Sequence, residues 1–181
     1  EHMEQTRTES LHGAPAGTRV TTHRCDVSDE RQVLAFRDAV RAEHATDRIH
    51  LLFNNAGIGG GGSLFTDDRA EWERTFAVDF WGVYYCTRAF LQMLVASDAA
   101  RIVNTSSVNG FWACLGPGVP HTAYSAAKFA VKGFSEALIN DLRVNAIIWG
   151  LGLLIVWRAK LLHVTGTYAL AFLAFAGLRS L

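Results

Sequence analysis

The order of strand-like and helix-like segments constrains this chain more than any other feature. Thr18 to Cys25 (TRVTTHRC) is rich in β-branched residues and reads as a strand. Ile49 to Phe53 (IHLLF) is a short apolar run that reads as a buried strand, and Arg101 to Thr105 (RIVNT) as a third. Between the first two, Ser28 is placed to cap a helix that has Asp29 and Glu30 in its first turn. Val33, Leu34, Phe36, Ala39 and Val40 then recur at helical spacing to about Ala45. Further helices are expected from about Asp68 to Val95 and from about Ala123 to Val144, with residues 1–17 as a frayed helix or loop. Strands joined by connections too long to be turns predict an α/β fold, a parallel sheet covered by helices.

Composition narrows the function classes. A chain of 181 residues, half of them apolar, is long enough to bury a core and is not of the disordered kind. Seventeen basic and 17 acidic side chains balance, which gives no reason to expect nucleic acid as a partner. Cys25, Cys86 and Cys114 are far apart and odd in number, so a reducing, cytoplasmic setting is expected. The seven histidines lack ligand spacing, and no metal is expected. No secretory signal is visible, and a start at Glu1 suggests a fragment or a processed chain. Charge is unevenly spread: the last acid is Asp141, and only Arg158, Lys160 and Arg179 are charged after residue 143. This divides the chain into a domain over 1–145 and an apolar tail over 146–181.

Gly57 to Gly62 matches G-x-G-x-x-G formally, but five or more loop-like residues separate it from the next helix. A phosphate loop needs the helix to open on the turn, so that its first amides meet the anion. A flexible loop is the expected reading.

Chemistry concentrates in two places. Tyr124 and Lys128 are four apart at the start of a helix, so both project from one face. A phenol is a poor base near neutral pH, and an adjacent ammonium favours its ionised form and fits it for acid–base work on an alcohol or carbonyl. Asn104-Thr105-Ser106-Ser107 ends one strand and Asn54-Asn55-Ala56-Gly57 the previous one. In open parallel sheets ligands bind beyond those carboxyl ends.

The ordered set Asp26-Val27, Asn54-Asn55-Ala56-Gly57, Ser107 and Tyr124-x-x-x-Lys128 resembles the short-chain dehydrogenase/reductase family over about residues 18–145. The resemblance implies a Rossmann-type three-layer α/β/α fold and a hydride exchanged between NAD or NADP and an alcohol or carbonyl. It implies that Asp26 meets the adenine amino group with Val27 beside it, and that Asn55, Ala56 and Gly57 lie along the adenosine ribose. Ser107 would hold the substrate oxygen, Tyr124 pass the proton, and Lys128 bind the nicotinamide ribose and ease ionisation of the tyrosine.

Three departures from the family pattern are visible. Asp79 stands where the family usually has Asn, a residue that bends its helix and carries a water of the proton relay; here it either alters the relay or solvates the kink. The family's first strand and its Gly-rich turn are absent, and Gly13-Ala14-Pro15-Ala16-Gly17 does not replace them. An incomplete sheet and weak cofactor binding follow. The family's last strand has a counterpart only in Ile147 to Val156, without a Pro-Gly turn. Leu161 to Leu178 then runs 18 residues without formal charge, near the minimum for a membrane span. A membrane-contacting segment and a buried helix are both open there.

Sixteen residues separate Ser107 from Tyr124, among them Phe111, Trp112, Leu115 and Pro117. Either these aromatics wall the pocket and favour a small apolar alcohol or carbonyl, or they anchor the loop. The two long helices are the faces through which the family forms homo-oligomers. The alternative to an enzyme is a catalytically impaired chain that acts by dimerisation or through its tail.

Overall fold

The computed structural model describes residues 2–116 and 118–153. Helix α1 (His2–Leu11) leads into an extended segment and then α2 (Glu30–His44). Strand β1 (Leu51–Asn54) follows, then α3 (Arg69–Phe76), a π turn (Ala77–Trp81) and α4 (Gly82–Val95). Strand β2 (Arg101–Asn104), a 3-10 turn (Val108–Gly110) and α5 (Thr122–Leu153) complete it.

The strands β1 and β2 pair in parallel, with Leu51 opposite Arg101 and Asn54 opposite Asn104. Alternation along them is one-sided. Leu52 and Ile102 join a core with Val33 of α2, Phe90, Met93 and Leu94 of α4, and Leu138 and Leu142 of α5. On the other face Leu51 is 49% and Phe53 62% exposed. Helices therefore cover one face of the sheet, so the described residues supply two of the three layers expected. Aromatic rings extend the α4–α5 contact: Phe134 meets Phe80 at 6.2 Å and Tyr84 at 6.1 Å, both edge to face.

The strand expected at Thr18 to Cys25 does not form, although the segment is extended. β-Branched composition favours a strand only where a neighbour supplies a ladder, and no described segment pairs with this one. Helix α2 holds it instead, through its main chain and its side chains. Arg19 donates to the Glu43 carbonyl, Thr21 Oγ1 lies 3.0 Å from His44 Nε2, and the Asp26 N–H donates to Gln32 Oε1 at 3.0 Å. The cap of α2 is Asp29, one residue beyond the expected Ser28, because Ser28 is spent on Asp26.

The helix expected over 68–95 is present, but a π turn interrupts it: the Gly82 N–H reaches back five residues to the Ala77 carbonyl. The extra residue turns Asp79 fully inward, to 0% exposure. Helix α5 runs through the composition change near Val144, so residues 147–153, expected to begin a strand, are helical. The rest of that candidate strand and the apolar run Leu161 to Leu178 lie outside the described residues. Among the described residues no helix is long and apolar enough to cross a membrane.

Candidate active site

The carboxyl ends of β1 and β2 are locked by buried amides. Asn54 Nδ2 donates to Asn104 Oδ1 at 2.7 Å and to Thr87 Oγ1 at 3.0 Å. Asn104 Nδ2 donates to Ser135 Oγ at 2.8 Å, and that hydroxyl donates to the Val131 carbonyl at 2.7 Å. Both strands are thereby fixed to α4 and α5. One residue further on, Thr105 Oγ1 donates to Asn55 Oδ1 at 2.8 Å and keeps the two loops in register. No sequence period marks Asn104 or Ser135 for this work.

Just beyond this lock lies a cavity of about 340 Å³. Asn55, Gly57, Thr105, Ser106, Tyr124 and Lys128 line it, with His121 at its edge. Tyr124 and Lys128 come together as their helical spacing predicts: the ammonium is 5.3 Å from the phenol ring centre. Lys128 is 3% exposed. Its Nζ donates to the Thr105 carbonyl at 3.3 Å and stands 3.4 Å from Asp79 Oδ2. The other Asp79 oxygen, Oδ1, accepts from the Ile58 N–H at 2.7 Å. Gly57 leaves this meeting uncrowded: a Cβ there would sit 3.3 Å from Lys128 Nζ and 3.4 Å from Asp79 Oδ1.

A second cavity, of about 160 Å³, adjoins the first at Asn55. It runs between the extended segment (Cys25, Val27) and the end of β1 (Asn54, Ala56). Val27 reaches it because Gly82 has no side chain; a Cβ there would lie 2.7 Å from Val27 Cγ2. Asp26 is exposed at the outer edge of this segment. The Ser28 hydroxyl and then the Ser28 N–H, at 2.7 and 3.0 Å, hold its carboxyl below the usual range.

Some expected residues are placed differently. Ser106 lines the larger cavity, and Ser107 is not among its lining residues. Ser107 Oγ instead accepts from the Asn109 N–H at 3.2 Å and caps the 3-10 turn. The loop aromatics do not wall the cavity either. Phe111 packs under the Lys132 ammonium at 5.3 Å, and Trp112 is 67% exposed with its Nε1 donating to the Cys114 carbonyl. Ser106 belongs to the Asn104–Ser107 run marked by the sequence, though without a role of its own; for His121 the only sequence signal is its nearness to Tyr124.

The glycine run opens no helix, as its distance from the next helix predicts, but it is packed against the start of α5 and is not the flexible loop expected. The Gly61 and Gly62 carbonyls accept from the Ala123 and Thr122 N–H groups at the start of α5. A Cβ at Gly62 would meet the Pro120 carbonyl oxygen at 2.2 Å.

Comparison with known proteins identifies the family and the fold. A family model described as short chain dehydrogenase matches residues 1–150. The chain belongs to the short-chain dehydrogenase/reductase family. A Mycobacterium tuberculosis protein named as the oxidoreductase SadH is 44% identical over 128 residues, which are 71% of this chain and 44% of that one. A family member from Burkholderia phymatum, solved in complex with NAD, matches with a TM-score of 0.67 at 38% identity. The match covers 79% of this chain and 48% of that one. A metagenomic short-chain oxidoreductase in complex with NADP gives 0.65 at 32% identity, over 80% of this chain and 63% of that one. The chain spans about half the length of the relatives it matches. Its fold is the Rossmann-type α/β fold of these neighbours, in incomplete form.

Proposed function

We propose that this short-chain dehydrogenase/reductase chain carries the acid–base half of an NAD(P)-dependent oxidoreductase that interconverts a small alcohol and its carbonyl. The observation that carries the reading is the convergence of Tyr124, Lys128, Gly57 and Asn55 on one cavity beyond the parallel strand ends. NAD and NADP are both candidates, and the residues fit parts of either. Tyr124 and Lys128 would hold the nicotinamide ribose end in the larger cavity, and Gly57, expected along the adenosine ribose, lines this cavity instead. Asp26, Val27, Asn55 and Ala56 would hold the adenosine end along the smaller one. Among the described residues no glycine turn opens a helix to take the pyrophosphate. Binding should therefore be weak.

The bound nicotinamide would supply the hydride acceptor or donor. In the oxidative direction Tyr124 takes the hydroxyl proton, and in the reductive direction it returns that proton to the carbonyl oxygen. Lys128 supplies the positive charge beside the phenol. Ser107 lies outside the residues lining the cavity and accepts from a backbone N–H; its own proton would serve the substrate oxygen only once its side chain turns toward the cavity. Phe111 and Trp112, standing outside the cavity, lend no support to a preference for apolar substrates.

The test is a titration with NADH and with NADPH, followed by nicotinamide fluorescence, on the wild type and on Lys128→Ala. Saturable binding that weakens in the variant supports the reading. A folded sample with no binding at millimolar cofactor refutes it. With binding shown, Tyr124→Phe should lose turnover and keep its fold, since only a hydroxyl goes.

A second reading, pairing with another copy through the long helices, draws on Trp81 and Phe129, which are 42% and 43% exposed there. Sedimentation equilibrium of the wild type and of Trp81→Lys separates it from the first.

A further inference from the structure

Asp79 and Lys128 form a buried pair of opposite charges immediately behind Tyr124. Their side chains are 0% and 4% exposed. The ammonium stands closer to the carboxylate (3.4 Å) than to the phenol ring centre (5.3 Å). Oδ1 of the carboxylate accepts from the Ile58 N–H at 2.7 Å. On Oδ2 it has the charge of Lys128 but no aligned hydrogen bond among the described residues. The pair is thus bound mainly by charge, and the π turn fixes one half of it.

We propose that Asp79 is a positioning residue that withholds the charge of Lys128 from Tyr124, so that the site works only in more alkaline conditions than Tyr124 and Lys128 alone would set. A lone ammonium beside a phenol draws the proton off it. An ammonium already matched by a carboxylate presents a short dipole, whose field falls off faster with distance than that of a single charge. The inference rests on reading Tyr124 as the group that moves the proton.

Other charges do not disturb the balance. His121, with its ring 6.3 Å from that of Tyr124, is the other titratable group at the cavity. The 3-10 turn packed on α5 carries no charge, and the π turn carries Asp79 alone. On α3, Glu71 and Arg74 are exposed, and Arg69 pairs with Glu73 at 2.7 Å. Asp141, Glu136 and Lys132 lie further along α5, the last two paired with each other at 2.7 Å.

The test needs neither cofactor nor turnover. The alkaline absorbance change of the tyrosines is recorded, and the part due to Tyr124 is the part lost in Tyr124→Phe. In Asp79→Asn this part should move to lower pH by about one pH unit. In Lys128→Met it should move to higher pH. In the double variant Asp79→Asn/Lys128→Met it should return to within about half a pH unit of the wild type, because a matched pair and no pair act alike on a third group. The double variant also covers a failure of Asp79→Asn to fold, since removing a buried pair together is tolerated where removing one member is not. A double variant displaced well above the wild type would overturn the proposal, as would an unmoved Asp79→Asn. Oxidoreductase assays on the same proteins then read the function separately. A shift without turnover in any variant retains the charge lock and rejects the enzymatic reading. Turnover without a shift does the reverse.

Discussion

Asn54 and Asn104 face each other in the strand register and are also joined through their side chains, at 2.7 Å. Two amides stacked at the ends of parallel strands act as a clasp, and the clasp opens onto the cavity. Asn104→Ala removes an acceptor from Asn54 and a donor from Ser135 in a fully buried setting. A destabilisation of about 2–3 kcal/mol is expected, because the abandoned groups keep their desolvation cost. Urea unfolding measures it. A loss below about 0.5 kcal/mol would show that the remaining bonds to Thr87 and Val131 are enough.

That clasp also shows what can be read from sequence. Tyr124 and Lys128 were legible because their spacing follows the helical repeat, and β1 and β2 because each is a short apolar-rich run with turn-forming residues after it. The clasp was not legible. Whether Asn104 finds Ser135 depends on where α5 packs on the sheet, which no local pattern encodes. Thr18 to Cys25 misled for a related reason: its strand composition is genuine, but a ladder needs a second chain segment. Asp79 was singled out, yet its depth was hidden, because the π turn shifts the helix face by one residue without altering the apolar periodicity. Ser107 and Ser106 differ by one position, and only the 3-10 turn decides which of them lines the cavity.

Gly110 is required by a close approach to α5. A Cβ there would lie 2.5 Å from Ser106 Oγ and 2.8 Å from the Lys128 carbonyl oxygen. The hydroxyl can rotate away, but the carbonyl belongs to a helix and cannot. Gly110→Ala should therefore push the 3-10 turn off α5, at a cost of about 1–3 kcal/mol. Thermal unfolding checks the loss. Weaker nicotinamide binding than in the wild type should accompany it, since the atom that Gly110→Ala presses on is the Lys128 backbone.

Helix α2 ends on a strained residue. Ala45 has φ 48° and ψ 47°, the left-handed conformation in which a Cβ crowds the backbone. The left-handed turn carries the Thr46 N–H back to the Arg41 carbonyl at 3.2 Å, beside the Ala45 N–H on the Ala42 carbonyl at 3.3 Å, and this pair closes the helix. Glycine adopts the left-handed conformation without that crowding. Ala45→Gly should raise stability by about 1 kcal/mol, less the entropy that glycine adds to the unfolded chain. A lowered melting temperature would contradict the assignment of strain.

The cysteines differ in a way that pH can read. Burial pushes the Cys86 thiol up to about 11, with a smaller push from Cys25. Burial, then the nearby Asp26 carboxylate, raises Cys25 as well. Cys114 is exposed. Alkylation by iodoacetamide at pH 8 should mark Cys114 first and Cys86 last, because the thiolate is the nucleophile. The same shift predicts a stability slope. A thiol whose folded value is raised binds its proton more tightly in the folded state, so its contribution is complete below the ordinary value near 9 and is lost as pH rises toward 11. Denaturant midpoints should therefore fall between about pH 9 and 11 in the wild type. They should fall less steeply in Cys86→Ala, where the group that loses its proton is gone. Equal slopes in the two proteins would mean that Cys86 is reached by water in the folded chain.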